Sequence, residues 1–340
     1  MTREVRLPGW RTWLVAITAT WIALGGVGAG ATRPAVYKPP PVAPAGVASP
    51  EPSRQWDGRG ATVAGERQPL GLFVHYGPST LVNAKTAVGW WREMTYGHYD
   101  RAVARFHPSA SVADGWIDLA RRAGAAYIAI TAKHHDGYTL WHSATTSYGV
   151  SAERDIIARA ALDARREGIG LVVYFSLIDL HAPSYKDDWP AYERLVRAQL
   201  RELMTRYGRI AGVWFDGPGW ERTGKSFATW RLPELYALIH HYQPSAQIVT
   251  NHHFGRPLPG EGALTFESTM PTAPAPWPQQ AAFTISPQWF YSTRDPLPMT
   301  HRQYLALKAQ ARMRSASLLI NVPPMADGSF DPAYVRALLG

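Results

Sequence analysis

Two carboxylates each close a short apolar run of the sequence. Asp216 ends the run in "GVWFDG", and Glu267 ends "ALTFE". A pair of opposed carboxylates is what hydrolysis of a glycosidic bond requires, because one attacks or activates water while the other protonates the departing oxygen. Two structural alternatives stay open at this point. Asp216 could cap a following helix, and Glu267 could be the buried ion-pair partner of Arg256 or His253.

Histidines close three further apolar runs. His75 follows the first run, His134 and His135 follow the second in "TAKHHDGYTLW", and His253 stands in "NHH" after the fifth. These side chains could bind a metal or hold polar groups of a ligand. Adjacent residues of one strand point to opposite faces, and the spacings HxH and HExxH are absent, so we predict no metal site.

The elements that must position these residues follow from the hydrophobic pattern. Eight short apolar runs, from "LGLFVHY" to "ASLLINVP", alternate with stretches of helical period, which predicts a (β/α)8 barrel. The runs "ALTFE" and "AAFTIS" are the sixth and seventh strands. Helices are predicted in "SVADGWIDLARRAG", with Ser111 as N-cap, and in "ERDIIARAALDARREG". Catalytic groups of such barrels sit at the C-terminal ends of strands, which is where the polar residues fall.

Composition narrows the class of protein. The 340 residues include 46% hydrophobic residues and no cysteine, which excludes disulfides, thiolate metal sites and a cysteine nucleophile. The net charge of +9 comes mostly from arginines scattered singly along the chain. Such a pattern is typical of a solvated basic surface, and no nucleic-acid partner is predicted.

The N-terminal segment has the pattern of a signal peptide. Three arginines precede the apolar stretch "TWLVAITATWIALGGVGA" and the small residues Ala29-Gly30-Ala31. Residues 1–31 are therefore predicted to be a signal peptide, or an uncleaved anchor as the single membrane contact. Residues 32–55 are predicted to be a Pro/Ala-rich linker, and residues 56–340 are predicted to form the catalytic (β/α)8 barrel domain. The protein is expected to be secreted, periplasmic or on the cell surface.

Several blocks, taken in order, resemble one enzyme family. The blocks "GLFVHYGPST", "TAKHHDGYTLWHS", "VWFDG", "TISPQWFY" and "LLINVPPMADGSFDP" resemble the α-L-fucosidases of glycoside hydrolase family 29. The resemblance implies an irregular (β/α)8 barrel without a cofactor. It also implies a retaining double displacement that removes terminal α-L-fucose from fucosylated glycans. The family's C-terminal β-sandwich is not expected here, because about twenty residues follow the last predicted strand.

The resemblance also assigns site residues. Asp216 matches the family's nucleophile. His75, His134, His135, Tyr174 and Trp214 match residues that line the fucose pocket, where imidazoles bond hydroxyls and aromatic faces pack on C–H groups. Trp90 or Trp91 is expected to contribute another aromatic face. The family's strand-five arginine corresponds to His253 or Arg256.

The acid/base is assigned between two branches of the family. Glu267 matches the glutamate that serves one branch, whereas the other branch carries its acid/base where this chain has Gln280. Gln280 cannot donate a proton to a leaving group, so Glu267 is the predicted acid/base. Gly89 also replaces a family glutamate before the tryptophan pair. These departures keep one alternative open, a fucose-binding protein of the same fold with impaired catalysis.

Overall fold

Eight parallel strands form a closed barrel. We describe residues 69–82, 99–218, 227–252, 254–295 and 297–340 of a computed structural model. The strands are β1 (Leu70–Val74), β2 (Tyr127–Lys133), β3 (Gly170–Ser176), β4 (Gly212–Asp216), β5 (Gln247–Thr250), β6 (Ala263–Glu267), β7 (Gln279–Thr284) and β8 (Ala316–Asn321). Each strand pairs with the next, and β8 pairs with β1. The predicted (β/α)8 architecture is confirmed.

The described helices lie between the strands in sequence, apart from the last one, which follows β8. Their bounds are Ser79–Val82, Tyr99–Arg105, Val112–Arg122, Ile156–Arg166, Pro183–Asp187, Trp189–Arg206, Phe227–Trp230, Leu232–Tyr242, His301–Met313 and Pro332–Leu339, with a 3-10 turn at Ala152–Arg154. Ser111 occupies the predicted N-cap position but makes no capping hydrogen bond. By contrast, the Asp155 carboxylate accepts a hydrogen bond from the Ala158 amide at 2.8 Å and caps the following helix.

The barrel is irregular after β5 and β6. No helix occurs in the described residues of the two connections that follow these strands. Instead, the β5–β6 connection is held by Glu261, which accepts from the Tyr236 hydroxyl at 2.6 Å and pairs with His252 Nε2 at 2.9 Å. The seventh strand begins at Gln279, two residues before the predicted start, because Gln279 and Gln280 already pair with β6.

Strand side chains alternate between two apolar layers. Alternate positions such as Phe73, Tyr174 and Trp214 point into the barrel and form the interior layer. Their neighbours pack against the helices in a larger outer layer. Burial on both sides explains why these strands appear in the sequence as continuous apolar runs. A Cβ at Gly71 would lie 2.3 Å from the Tyr127 ring, so glycine is required for that ring to enter the barrel.

Several predictions concern residues outside the described ranges. These are the signal peptide 1–31, the linker 32–55, the start of the domain at residue 56, and the pocket residues Trp90, Trp91 and His253. Among the helices that the structure describes, none is long and apolar enough to cross a membrane.

Candidate active site

Asp216, the last residue of β4, is surrounded by hydrogen-bond donors. Its Oδ2 accepts from the Tyr174 hydroxyl at 2.7 Å, and its Oδ1 accepts from the Gly217 amide at 2.7 Å and from Asn251 Nδ2 at 3.2 Å. His135 Nε2 lies 3.6 Å from Oδ2. The described helix that follows begins at Phe227, so Asp216 does not cap it. A carboxylate that is 14% exposed and held from several sides has the fixed orientation that a nucleophile needs.

Glu267, the last residue of β6, lies beside Asp216. Asn251 Nδ2 donates to Glu267 Oε2 at 2.5 Å and also reaches Asp216, so one amide nitrogen bridges the two carboxylates. Because both oxygens contact the same nitrogen, at 3.2 and 2.5 Å, they are at most about 5.7 Å apart. Burial, and next the charge of Asp216, raise the pKa of Glu267 to about 7. A carboxyl in this state can donate a proton near neutral pH.

An ion pair between Glu267 and Arg256 is not supported, and His253, the other partner considered, lies outside the described residues. Among the described residues, the side chains of Asn251 and Trp289 hydrogen-bond to Glu267, while Arg256 is exposed to solvent. Arg256 is therefore not brought to the carboxylates, and the prediction that it binds substrate has no support from its position.

His75, directly after β1, is fixed by Asn321 at the end of β8. Asn321 Nδ2 donates to the Trp289 carbonyl at 2.9 Å, which leaves Asn321 Oδ1 to accept from His75 Nδ1 at 2.9 Å. Burial lowers the pKa of His75 to about 3, so the ring is neutral. With Nδ1 protonated, Nε2 remains as an acceptor, which suits a hydroxyl donor.

His134 and His135 lie just beyond the end of β2. Their ring centroids are 4.3 Å apart, and His134 stacks on Tyr174 at 5.2 Å. The expectation that they point to opposite faces is wrong, because β2 ends at Lys133 and the strand rule does not extend to them. Burial lowers the pKa of both imidazoles.

The tautomer of His135 follows from Ser176. The single hydroxyl hydrogen of Ser176 is donated to the Ile178 carbonyl at 2.8 Å. The Ser176 oxygen must therefore accept from His135 Nδ1, which lies 2.6 Å away. In a neutral His135 the ring hydrogen is then on Nδ1, while Nε2 lies on the side of Asp216, 3.6 Å from its Oδ2.

The same pocket brings together a set of potential metal ligands. One donor atom each from His134, His135 and Asp216 lie within 4.8 Å of one another. In a tetrahedral zinc site, ligand atoms about 2 Å from the ion are roughly 3.4 Å from one another. These side chains would therefore have to move closer together to bind zinc. Asp216 already accepts hydrogen bonds on both oxygens. The arrangement therefore fits a hydroxyl-binding pocket better than a preformed metal site.

Tyr174 and Trp214 form the floor of the site inside the barrel. Their rings stack at 5.5 Å, and Tyr174 also donates to Asp216. Trp214 Nε1 donates to Gln280 Oε1 at 2.9 Å, and Gln280 Nε2 donates to the Tyr127 hydroxyl at 3.0 Å. Gln280 is thus a buried residue of the barrel interior that holds Trp214, and its amide does not contact Glu267.

Two ionisable residues of "TAKHHDGYTLW" serve the scaffold. Lys133 is fully buried, and its ammonium lies 3.3 Å from Asp179 and 3.1 Å from Gln199. Asp136 accepts hydrogen bonds from the Tyr99 hydroxyl and the Tyr138 amide. These pairings anchor the segment on either side of the two histidines, so that the imidazoles are held in place at the pocket.

Some site residues did not stand out in the sequence. Asn321 ends β8 and orients His75, while Trp289 contacts Glu267 and lies 4.9 Å from the His75 ring. Phe290 packs on His75 and His134 at 5.6 and 5.0 Å. The position of Asn321 at a strand end was a usable signal. Trp289 and Phe290 lie in a loop, where no periodicity indicates which way a side chain points.

Comparisons with known proteins all identify the same family. Residues 60–340 match the model of the alpha-L-fucosidase family. Alpha-L-fucosidase 1 of Arabidopsis thaliana is 28% identical over 302 residues, which cover 79% of this chain and 56% of that protein. The chain thus spans little more than half the length of this curated relative.

Solved structures show the same fold. Alpha-L-fucosidase isoenzyme 1 from Paenibacillus thiaminolyticus superposes with a TM-score of 0.71 at 26% identity, covering 80% of this chain and 72% of that chain. Alpha-L-fucosidase AlfC from Lactobacillus casei, in complex with alpha-L-fucose, gives 0.68 at 22% identity, covering 84% of this chain and 95% of that chain. The second likeness concerns the fold alone. The family match covers most of the sequence, and this chain belongs to the alpha-L-fucosidase family.

Proposed function

We propose that this protein is an exported, exo-acting, retaining α-L-fucosidase that removes terminal α-L-fucose from glycoconjugates. The observation that carries this proposal is the bridged pair of carboxylates at the ends of β4 and β6. Asp216 is held by several donors, whereas Glu267 has a pKa raised to about 7 by burial and by Asp216. A carboxylate fixed by hydrogen bonds, beside a carboxyl that keeps its proton near neutral pH, suits a nucleophile and a general acid.

The separation of the carboxyl groups supports retention of configuration. Retaining enzymes place the two groups about 5 Å apart, whereas inverting enzymes need roughly 6.5–9.5 Å to admit a water molecule between carboxylate and sugar. The Asn251 bridge, with bonds of 3.2 and 2.5 Å, limits the distance between the bridged oxygens to about 5.7 Å, which supports the shorter range.

The proposed reaction has two steps. In the first, an Asp216 oxygen forms a bond to the anomeric carbon of fucose, the bond to the aglycone oxygen breaks, and Glu267 protonates that oxygen. In the second, the ionised Glu267 takes a proton from water, whose oxygen attacks the anomeric carbon and releases Asp216. Both steps invert the anomeric centre, so the product has the configuration of the substrate.

The pocket supports recognition of a single sugar. His75 carries a neutral ring with Nε2 available as an acceptor, which suits a hydroxyl donor of a sugar ring. His134 and His135 lie beside it in the same pocket. The rings of Trp289 and Phe290 offer apolar surface for C–H groups beside these acceptors.

The alternative, a fucose-binding protein with impaired catalysis, was suggested mainly by Gln280. That residue replaces a glutamate of one family branch, but here its amide is held by Trp214 and Tyr127 inside the barrel. The substitution therefore does not remove an acid from the neighbourhood of Asp216, because Glu267 lies there instead.

An aryl α-L-fucoside assay tests the proposed activity, because an activated leaving group needs little acid assistance. The wild type is expected to release the aryl alcohol. Asp216→Gly should abolish release, and azide should restore it with inverted stereochemistry, since the small anion replaces the missing nucleophile. A wild type that binds fucose without turnover would favour the binding protein instead.

Export is proposed from the N-terminal sequence. Arginines followed by "TWLVAITATWIALGGVGA" and Ala29-Gly30-Ala31 support a signal peptide cleaved after Ala31. N-terminal sequencing of the exported protein tests this. A start at Thr32 is expected, whereas an intact N-terminus on a membrane fraction would favour the anchor.

A further inference from the structure

Asn251 occupies a central position between the two candidate catalytic carboxylates. It follows β5 directly and is 4% exposed, and its backbone amide donates to the Phe215 carbonyl at 2.9 Å. Its side-chain nitrogen donates to Asp216 Oδ1 and Glu267 Oε2. Both hydrogens of the amide are therefore directed at carboxyl groups of neighbouring strands.

The orientation of the amide is dictated by these two neighbours. Turning it over would aim Asn251 Oδ1 at the Asp216 carboxylate, which has no hydrogen to donate. In the observed orientation, Oδ1 is buried without a hydrogen-bond partner among the described residues. An unsatisfied buried acceptor is unfavourable, so the bonds from the nitrogen must outweigh that cost.

The proposed reaction moves one negative charge between these two groups. Before the first step Asp216 is ionised and Glu267 is protonated, whereas in the glycosyl-enzyme Asp216 is an ester and Glu267 is ionised. Hydrogen bonds to ionised acceptors are roughly twice as strong as neutral ones. A donor that contacts both groups therefore bonds more strongly to whichever one carries the charge.

We propose that Asn251 is a positioning residue that holds Asp216 and Glu267 together and stabilises the negative charge on either carboxylate as that charge moves between them. This inference rests on the proposed function. It assigns Asn251 a role in both steps, because the same amide supports Asp216 before attack and Glu267 while it acts as base.

Among the described residues, few other groups act on the carboxyl of Glu267. The charged group that faces it is Asp216 on β4, the titratable hydroxyl nearby is Tyr174 on β3, and the remaining polar contact from the described residues is Trp289. Loss of the Asn251 donor would leave the ionised form of Glu267 less stabilised. The Glu267 carboxyl should then release its proton at higher pH.

The kinetic test compares Asn251→Ala and Asn251→Asp with the wild type on a natural fucosylated oligosaccharide, whose leaving group needs the acid. We expect kcat/KM to fall roughly 10- to 150-fold in both variants, as for loss of a hydrogen bond to a charged group. The fall of kcat/KM on the alkaline side of the pH profile should shift to higher pH by about one unit. Asp keeps the size of Asn, so wild-type rates or an unmoved limb in Asn251→Asp would overturn the proposal.

Gln243→Ala is the matched control. The Gln243 amide donates to the Met204 and Gly208 carbonyls at 2.7 and 2.8 Å, at the opposite end of the barrel. This variant should lose stability and keep the pH limb in place. If the alkaline limb of the kcat/KM profile shifted equally in Gln243→Ala, the shift would reflect a general loss of stability. That result would overturn the specific role of Asn251.

A measurement that does not depend on catalysis can test this inference separately from the proposed function. The carboxyl carbon of Glu267 can be followed by carbon-13 NMR in protein labelled at glutamate, with Glu267→Gln identifying its resonance. The midpoint of titration should be higher in Asn251→Ala than in the wild type. An unchanged midpoint overturns the inference even in an active enzyme. Conversely, a raised midpoint in a protein inactive on fucosides supports the Asn251 coupling and contradicts the proposed activity.

Discussion

Replacing Glu267 by glutamine tests the acid/base assignment directly. The side chain keeps its size but loses its acidic proton. A glutamate with the ordinary pKa of 4.5 would be about 0.3% protonated at pH 7, whereas one with a pKa of about 7 is about half protonated. Burial and the neighbouring Asp216 therefore increase the acid form roughly 150-fold at neutral pH. General acid catalysis typically contributes 10²–10⁴-fold, so a loss of about that size is expected on natural fucosides.

The assay compares kcat/KM on a natural fucosylated oligosaccharide and on an aryl α-L-fucoside. Glu267→Gln should lose far more on the oligosaccharide, and the alkaline limb near pH 7 should disappear from its aryl-fucoside profile. Glu261→Gln is a matched control, because Glu261 is buried on the neighbouring connection but bonds Tyr236 and His252. Equal losses on both substrates, or a retained limb in Glu267→Gln, would refute the acid role.

The same substitution has a consequence for stability. Burial raises the pKa of Glu267 from 4.5 to about 7, so the folded state binds this proton more tightly than the unfolded chain does. The stabilisation is complete below the unfolded value and is lost as the pH rises through about 7. Glu267→Gln cannot ionise, so its Tm should exceed that of the wild type near pH 8 but not near pH 4. Thermal unfolding at the two pH values measures this, and a pH-independent difference would contradict it.

Three further outcomes are expected. Lys133→Met should lower the free energy of unfolding by about 3–5 kcal/mol, because Asp179 would remain buried without its cation. A free energy of unfolding equal to that of the wild type would refute this. Gln280→Glu should lower the free energy of unfolding by roughly 1–3 kcal/mol, because it disturbs the hydrogen bond from Trp214. A higher rate of this variant on natural fucosides would contradict the assignment of Gln280 to the barrel interior. Dialysis against a chelator should leave the rate on an aryl fucoside unchanged, whereas loss that zinc restores would assign a metal to the active-site histidines.

The fold could be predicted from the sequence to a large extent. Parallel strands buried on both sides must be apolar along their whole length, so eight such runs indicated the barrel before any contact was known. The strand ends were equally visible, because polar residues such as Asp216 and Glu267 follow apolar runs. The least regular region, around β6 and β7, was predicted least well. There the connections carry no helix in the described residues, and β7 begins with the polar residues Gln279 and Gln280.

The sequence by itself therefore determined the barrel, the rim of polar residues and the identity of the two carboxylates. Only the tertiary structure decided how these residues meet. Asn251 contacts Asp216 and Glu267 across 35 and 16 positions of sequence, and the Asn321 amide orients His75 from 246 positions away. Whether Gln280 faces the pocket or the interior likewise depends on barrel register. A linear pattern specifies which residues end strands, but closure of the barrel fixes which of those ends become neighbours.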